Sequence, residues 1–198
     1  MNKNLSKAIK IVKDGGIIIF PTDTAFGIGC RIDNVGSVRK LFKLRRRPNE
    51  KAVPILVSSA KMAQSYTFDT KHETVDPDLV GVDLMKQYWP GGLTIVLNSK
   101  SSVPSVVRGG GKTIGVRMPK HSSLLKLIRN VGVPIVGCSA NFAGEATPYK
   151  ISDLNPDLVK LVDLVLPGRC SVKKASTVVD CTKGNIKVLR EGAVKLSI

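Results

Sequence analysis

The chain has 198 residues, of which 42% are hydrophobic and 23% charged, proportions that are ordinary for a globular protein and exclude a disordered or fibrous one. The chain has 31 Lys and Arg residues against 15 Asp and Glu residues, so the formal net charge is +16. No apolar run approaches the roughly 20 residues of a membrane span, and residues 1–16 are too weakly apolar for a signal peptide. We therefore expect one domain over residues 1–198, in the cytoplasm and without a membrane partner.

The excess of positive charge indicates a polyanionic partner, which could be a nucleotide, an RNA or both. A generally basic, soluble surface would give the same net charge, so composition does not separate the two interpretations. Aromatic residues make up only 5% of the chain and are not interleaved with basic ones, unlike the surfaces that stack single-stranded nucleic acid.

Cysteine and histidine usage argues against a metal centre and against a catalytic triad. The four cysteines are widely spread without a CxxC pair, and there are only two histidines, His72 and His121. A structural zinc site and a Ser/His/Asp arrangement are therefore not expected, and we predict no metal ligands among the side chains. Cys30 and Cys138 lie in apolar, strand-like segments and are predicted to be buried thiols.

The first predicted elements are a helix and a buried strand. Apolar residues recur with helical spacing on one side of the N-terminal segment, at Leu5, Ala8, Ile9 and Val12. The apolar run 17–20, bounded by glycines and Pro21, predicts a buried central strand. Small polar residues follow at 22–24, at the strand end where ligands sit in open α/β sheets. An Asx turn at Asp23 is the alternative interpretation, and Gly27 and Gly29 allow either close backbone approach or a positive φ.

Helices and strands alternate along the rest of the chain. The helical spacing over residues 35–44, with Asn34 as the N-cap, predicts a helix that runs into the arginines at 45–47 and stops near Pro48. Further helices are predicted from about residue 59, over 77–88, over 122–129 with Ser122 or Ser123 as the cap, and over 153–162. Strands are predicted over 53–57, 93–98, 113–118, 134–138, 164–166, 176–180 and 186–189. Residues 66–80 form a polar excursion, and 109–111 a mobile glycine loop.

This alternation predicts an α/β fold in which helices flank a sheet. Because the C-terminal part of the chain is rich in short strands, we expect a mixed rather than a purely parallel sheet, with α+β-like character.

Four segments combine a strand end with polar or basic residues: 22–24, 45–51, 113–117 and 139–147. The guanidinium groups of the second suit phosphate or carboxylate, although a solvated helix end would look the same. Arg117 lies in an apolar strand and needs an anionic partner unless its side chain points outward. Ser139 and Asn141 form either a phosphate-binding turn or an ordinary Ser/Asn turn. Because no P-loop or GxGxxG is present, an enzyme of this kind would act by positioning charged reactants.

Seven blocks of the sequence, taken in order, resemble the signature segments of the YrdC family. PTDTAFGIG is similar to PT[DE]TxYGLG, and RRRP followed by Lys51 is similar to the K-x-R-P block. The blocks WPGGLTIVL, TIGVRMPKH, GCSANFAG, STVVD and LREG follow. The resemblance covers roughly residues 5–192 and implies a twisted, open sheet of the YrdC type with a basic concave cleft.

The resemblance implies L-threonylcarbamoyladenylate synthase activity, a nucleotidyltransferase reaction. L-threonine and bicarbonate or CO2 would give N-carboxy-threonine, which attacks the α-phosphate of ATP and releases pyrophosphate. A partner complex would then transfer the threonylcarbamoyl group to an adenosine of tRNA, the t6A modification. Mg²⁺ would accompany ATP, bound largely through phosphate oxygens and water. Direct contact with tRNA or double-stranded RNA is a further expectation.

Carried over position by position, the resemblance implies three overlapping sets of site residues. The L-threonine site would consist of Thr24, Arg117, Gly137 and Ser176. The ATP site would consist of Arg47, Lys51, Thr113, Ser139, Thr147 and Arg190. The catalytic set would be Arg45, Arg47, Ser139 and Asn141.

The chain departs from the family pattern at three positions. Arg45 stands where the family usually has lysine, which puts the fine geometry of the site in question. Phe26 replaces the usual tyrosine, and Leu56 stands where some members place a histidine that contacts threonine. Longer members carry a second domain, so a single-domain form is expected here, with any nucleotide lid supplied from elsewhere.

Two alternative functions stay open. The same fold could hold structured RNA without catalysis, which the net charge of +16 and the substitution at Arg45 favour. The other alternative is a carbamoyl-adenylate-handling relative, because similar domains occur in hydrogenase-maturation carbamoyltransferases. Those domains lie within much longer chains.

Overall fold

The computed structural model describes residues 3–48, 50–67 and 78–197 of the chain. Its helices are α1 (Lys3–Lys13), α2 (Val35–Leu44), α3 (Ala60–Thr67), α4 (Asp78–Tyr88), α5 (Ser122–Val131) and α6 (Pro156–Lys160), with a 3-10 turn at Ile151–Asp153. Its strands are β1 (Ile18–Pro21), β2 (Phe26–Gly29), β3 (Ile55–Leu56), β4 (Leu93–Asn98), β5 (Thr113–Arg117), β6 (Ile135–Val136), β7 (Cys138–Ser139), β8 (Leu164–Val165), β9 (Thr177–Asp180) and β10 (Lys187–Arg190). None of the described helices is both long and apolar enough to cross a bilayer.

The strands form two mixed sheets with helices around them. The smaller has the order β7-β2-β1-β8 and the larger the order β10-β9-β4-β5-β3-β6. Both contain parallel and antiparallel pairs, since β1 is antiparallel to β2 and parallel to β8, while β4 is antiparallel to β5 and parallel to β9. The predicted α/β class with mixed pairing and flanking helices is confirmed, and the strands divide between two sheets.

Gly137 is the point at which the chain passes from one sheet to the other. The predicted strand 134–138 divides there, because β6 pairs with β3 in the larger sheet and β7 pairs with β2 in the smaller one. The backbones come very close at this junction: a Cβ atom on Gly29 would lie 1.7 Å from the carbonyl oxygen of Val136. Only glycine permits that approach, so the division depends on a backbone contact between distant segments.

Strand β2 was not predicted, because its sequence, FGIG, contains two glycines, which are disfavoured in strands. A Cβ atom on Gly27 would lie 2.7 Å from the ring of Phe20, so glycine lets the ring of the neighbouring strand pack against the backbone. The predicted strand 53–57 is shorter than expected and covers only Ile55–Leu56. Of the predicted polar excursion 66–80, residues 68–77, including His72, lie outside the described residues.

The helix boundaries show which local signals were sufficient. Helix α2 begins as predicted, with the Asn34 side chain accepting a hydrogen bond from the Ser37 amide at 2.9 Å. The predicted cap of α5 is wrong, because His121 occupies the N-cap position and its side chain makes no capping bond. The predicted helix 153–162 shortens to α6, since Asn155 caps it and Pro156 fixes its first position.

Both sheets bury their apolar residues against helices. All four residues of β1 are buried, as predicted for a central strand. Helices α1 and α5 pack against each other over one apolar cluster, to which α1 contributes its predicted face of Leu5, Ala8, Ile9 and Val12. The other buried apolar residues form a second, larger cluster, to which β4 and β5 contribute from one face, through Leu93, Ile95, Leu97, Ile114 and Val116.

Candidate active site

Several strand ends and turns surround one hollow. Its lining comes from both sheets and from the turns that follow β1, α2 and β7: Phe20, Thr22, Thr24, Ala25, Phe26, Gly27, Arg45, Arg47, Pro54, Leu56, Thr94, Arg117, Gly137, Cys138, Ser139, Thr147, Ala175, Ser176 and Arg190. Four of these residues are arginines and none is acidic. The arrangement therefore suits a ligand that carries negative charge.

Arg117 is the last residue of β5, and its side chain points inward. Its Nε donates to the carbonyl oxygen of Gly91 at 2.9 Å and its Nη1 donates to Thr24 Oγ1 at 2.7 Å. Its Nη2 forms a buried ion pair with Asp23 Oδ1 at 2.5 Å. Burial lowers the pKa of Arg117, and the neighbouring Asp23 carboxylate opposes that effect. We call Asp23, Thr24 and Arg117 the Arg117 cluster.

A hydroxyl group organises the turn that presents Thr24. Thr22 Oγ1 accepts hydrogen bonds from the amides of Thr24 and Ala25, both at 3.1 Å, and donates to the carbonyl oxygen of Ala25 at 2.7 Å. The Asp23 carboxylate instead reaches across the molecule, to Arg117 and to the amide of Lys120 at 3.1 Å. The alternative interpretation of this segment as an Asx turn is therefore wrong.

Arg45 follows helix α2 and is almost completely buried, with 3% of its surface exposed. Its Nε donates to the backbone oxygen of Asn141 at 2.9 Å and its Nη2 donates to Asn141 Oδ1 at 3.1 Å. Asn141 is itself fixed by a hydrogen bond from its Nδ2 to the carbonyl oxygen of Glu145 at 2.6 Å. The remaining nitrogen, Arg45 Nη1, is buried without a hydrogen-bond acceptor among the described residues.

Arg47 closes the turn that follows Arg45. It donates to the backbone oxygens of Lys51 at 3.2 Å and Ala52 at 2.7 Å. Burial lowers the pKa of Arg47, the Cys138 thiol opposes this, and the positive charge of Arg45 lowers the pKa further. We call Arg45, Arg47 and Asn141 the Arg45 cluster; across the described parts of the chain no ion pair includes either arginine.

A third group connects strands β4 and β9. Thr94 Oγ1 and Ser176 Oγ lie 2.9 Å apart, and both residues are buried. Arg190 donates from Nε and Nη2 to the backbone oxygen of Ser176, and from Nη2 to Ser176 Oγ at 3.0 Å. This group brings an arginine of β10 to the edge of the hollow.

Most of the predicted site residues meet at the hollow. It is lined by Thr24, Arg45, Arg47, Arg117, Gly137, Ser139, Thr147, Ser176 and Arg190. Asn141 lies behind Arg45 instead of on the wall. The remaining two, Lys51 and Thr113, do not line it: Lys51 is exposed, and Thr113 begins β5, about 13 Å along the strand from Arg117.

Sequence reasoning gave Thr94 no role, and it gave the Asp23 side chain only that of an Asx turn. Thr94 is the one hydroxyl residue within the largely apolar strand β4. Because side chains alternate between the two faces of a strand, this hydroxyl is the sequence signal that could have identified Thr94. Nothing local in the sequence marks Asp23 as the partner of Arg117, because 94 residues separate them.

The positions that depart from the family pattern lie in or beside the hollow. Phe26 is buried and lines it. Leu56 packs over Gly137, at which a Cβ atom would lie 2.5 Å from the leucine side chain.

Cys30 is buried as predicted, and burial raises its pKa to about 12. Cys138, predicted to be buried, is only partly so and faces the hollow.

Among the described residues, no group of three or more His, Cys, Asp or Glu side chains could hold a metal ion. The hollow itself offers only arginines, hydroxyls, a thiol and apolar groups. Its own side chains therefore do not form a binding site for Mg²⁺, which prefers carboxylate and other oxygen ligands.

Comparison with known proteins shows that this chain is similar to the members of one family. Residues 10–192 match the family model Sua5_yciO_yrdC, described as "Telomere recombination". The chain is 29% identical to the threonylcarbamoyl-AMP synthase of Bacillus subtilis over 96% of its own length and 54% of that protein, and 30% identical to the uncharacterized protein YciO of Escherichia coli over 95% and 88%. The crystal structure of Sua5 from Pyrococcus abyssi complexed with L-threonine superposes with a TM-score of 0.84 at 28% identity, covering 95% of this chain and 54% of that one. The chain thus spans about half the length of the synthases it matches.

Proposed function

Because the chain belongs to the Sua5/YciO/YrdC family, we propose that it is a threonylcarbamoyl-AMP synthase. In this proposal L-threonine, bicarbonate or CO2, and ATP give threonylcarbamoyl-AMP and pyrophosphate. The observation that supports it most is the meeting, in one hollow, of two guanidinium clusters with different charge environments.

The Arg117 cluster suits the carboxylate of a small amino acid. Asp23 already balances the charge of Arg117, and Arg117 retains N–H groups that its protein partners do not use. A neutral pair of this kind matches a ligand with no net charge or a single negative charge better than a polyanion. L-threonine would therefore lie here, against Thr24, Arg117, Gly137 and Ser176.

The Arg45 cluster suits a triphosphate. Two adjacent guanidinium groups lie there without a carboxylate partner among the described residues, so their field is not cancelled. Arg47, Ser139, Thr147 and Arg190 would contact ATP, together with Arg45. Asn141 would act by holding Arg45. Lys51 and Thr113 stay predicted ATP contacts, although neither lines the hollow.

The proposed mechanism relies on positioning. The neutral amino group of threonine takes up CO2 and loses a proton to solvent, which gives a carbamate. One carbamate oxygen then forms a bond to the α-phosphorus as the bond to the pyrophosphate oxygen breaks. The residues of the hollow would hold the carbamate and the α-phosphate close together and stabilise the negative charge on the departing pyrophosphate. No residue of the chain needs to form a covalent intermediate.

Mg²⁺ would enter with ATP, coordinated by phosphate oxygens and water, since the described side chains offer it no site of their own. The product would pass to a complex that transfers the threonylcarbamoyl group to tRNA. The same proposal includes that the protein acts in the cytoplasm and that it contacts tRNA or double-stranded RNA.

The test is pyrophosphate release measured with ATP, Mg²⁺ and bicarbonate, with and without L-threonine. We expect release to require threonine and bicarbonate together, and the product to have the mass of threonylcarbamoyl-AMP. Release that is equal without threonine would contradict the proposal. Salt-dependent RNA binding without any threonine-induced thermal shift would favour the non-catalytic alternative.

A further inference from the structure

Thr94 is a buried hydroxyl residue of the hollow; it lies within the WPGGLTIVL block, but neither the resemblance nor the proposed chemistry gives it a role. It lies in β4 with 5% of its surface exposed. Strand β4 pairs with β5 so that Ile95 faces Val116, and continuing this register places Thr94 opposite Arg117. Thr94 therefore lies beside the proposed amino-acid site, and its side chain lines the same hollow.

The Thr94–Ser176 pair has one hydroxyl proton more than its protein partners can accept. The two oxygens are 2.9 Å apart, so one proton lies between them. Arg190 Nη2 donates to Ser176 Oγ and so occupies a lone pair of that oxygen. A guanidinium group has no acceptor, so Arg190 cannot accept a proton from either hydroxyl. One O–H group of the pair is left to donate, and no described side-chain or backbone acceptor contacts it. A buried donor of this kind favours a ligand that brings the acceptor.

Arg190 also sets the direction of this short chain of hydrogen bonds. A hydroxyl that accepts from a cationic guanidinium is polarised, which strengthens its own donation to the next acceptor. Either hydroxyl could be the donor at this distance, and the direction in which Ser176 donates to Thr94 Oγ1 continues the polarisation by Arg190 and leaves the Thr94 proton for the ligand. In that direction Arg190, Ser176 and Thr94 donate in turn, and the bound molecule is the final acceptor.

We propose that Thr94 is a specificity-determining residue that donates a hydrogen bond to the side-chain hydroxyl oxygen of the amino-acid substrate. This inference rests on the proposed function, because it takes the amino-acid site to be the one beside Arg117. Arg117 and Thr24 are already matched to the substrate carboxylate, which leaves the substrate side chain to Thr94. Leu56, on the same wall, has no group that could form this hydrogen bond.

The neighbouring hydroxyls do not offer the same proton. Thr22 uses its own to donate to the carbonyl oxygen of Ala25 at 2.7 Å. Thr24 accepts from Arg117 and lies against Thr22, on the carboxylate side of the site. Thr94 is therefore the hydroxyl that distinguishes a substrate with a side-chain oxygen from one without it.

The experiment compares binding of L-threonine and of L-2-aminobutyrate, which lacks only the hydroxyl, by titration calorimetry. The variants are Thr94→Val, which keeps the shape and loses the hydroxyl, and Thr94→Ser, which keeps the hydroxyl. We expect the native protein and Thr94→Ser to prefer threonine by about tenfold or more, as for a buried donor left unpaired. Thr94→Val should bind the two ligands within about twofold of each other, with unchanged affinity for ATP.

Two results would overturn the inference. One is a Thr94→Val variant that keeps the native preference for threonine, which would make Ser176 the terminal donor. The other is a variant that loses affinity for both amino acids equally, which would move the contact to the carboxylate. If the native protein binds neither amino acid, the proposed function fails instead, so the two failures are distinguishable. Melting temperatures of both variants establish that each is folded.

Discussion

The Arg117 cluster and the Arg45 cluster both place a buried guanidinium at the hollow, but the partners that compensate the buried charge differ between the two clusters. Arg117 has a carboxylate partner, a hydroxyl acceptor and a backbone acceptor. Arg45 has only the neutral oxygens of Asn141, and one of its nitrogens has no acceptor in the described chain. The first cluster is electrically complete without a ligand, whereas the second is not.

This difference indicates what each cluster contributes to the protein. A buried ion pair that also joins the turn after β1 to the end of β5 contributes to folding, and removing one partner leaves an uncompensated charge. A buried cation without a counterion lowers stability until an anion binds. The Arg117 cluster therefore combines structural and binding roles, and the Arg45 cluster is maintained for the ligand.

The largest expected effect comes from Arg117→Ala. Because Asp23 would stay buried without its partner, the free energy of unfolding should fall by about 3–5 kcal/mol in urea denaturation. Threonine-dependent pyrophosphate release should be lost as well.

The double variant Arg117→Ala/Asp23→Asn separates folding from binding. Replacing the carboxylate by an amide removes the uncompensated charge, so most of the lost stability should return while threonine binding stays absent. If the double variant is as unstable as Arg117→Ala, the ion pair is not the source of the effect. If it binds threonine normally, Arg117 is not the carboxylate partner.

The sequence was sufficient where a signal is local. Strand β4 has the predicted bounds because a Trp-Pro-Gly-Gly turn precedes an apolar run, and α2 begins at its predicted cap. Nine of the twelve site residues that the family resemblance implies also line the hollow. What could not be predicted depends on contacts between distant segments: the division of the sheets at Gly137, and the choice of Asp23 as partner for a residue 94 positions away. Local pattern does not contain that pairing information.

An opposite effect on stability is expected at Arg45. Arg45→Met replaces arginine by a residue with a long, flexible and apolar side chain, and so removes the buried charge. The free energy of unfolding should rise, or stay within about 1 kcal/mol, because a donor without an acceptor is no longer buried. ATP affinity should fall by more than about tenfold, a loss typical of a charged contact.

Arg45→Lys is the matched control, since it keeps the charge and restores the residue typical of the family. It should retain more ATP affinity than Arg45→Met in calorimetric titration. If Arg45→Met destabilises the protein as strongly as Arg117→Ala does, the two clusters do not differ in the way the structure indicates.

The smallest effect concerns His121, which lies beside the Arg117 cluster with Nδ1 buried and unpartnered in the described chain. Burial lowers the pKa of His121 below its usual 6.5, and the nearby Asp23 carboxylate only partly opposes this. The unfolded chain therefore binds a proton that the folded protein does not, so stability should decrease as the pH falls through 6.5 towards the lowered value. Replacing the imidazole in His121→Gln should flatten this part of the profile, as followed by melting temperature between pH 7 and about 5. If the native protein and His121→Gln have the same profile of melting temperature against pH, the imidazole takes up a proton as freely in the folded protein as in the unfolded chain. The charge balance of the Arg117 cluster would then depend on Asp23 and Arg117 alone.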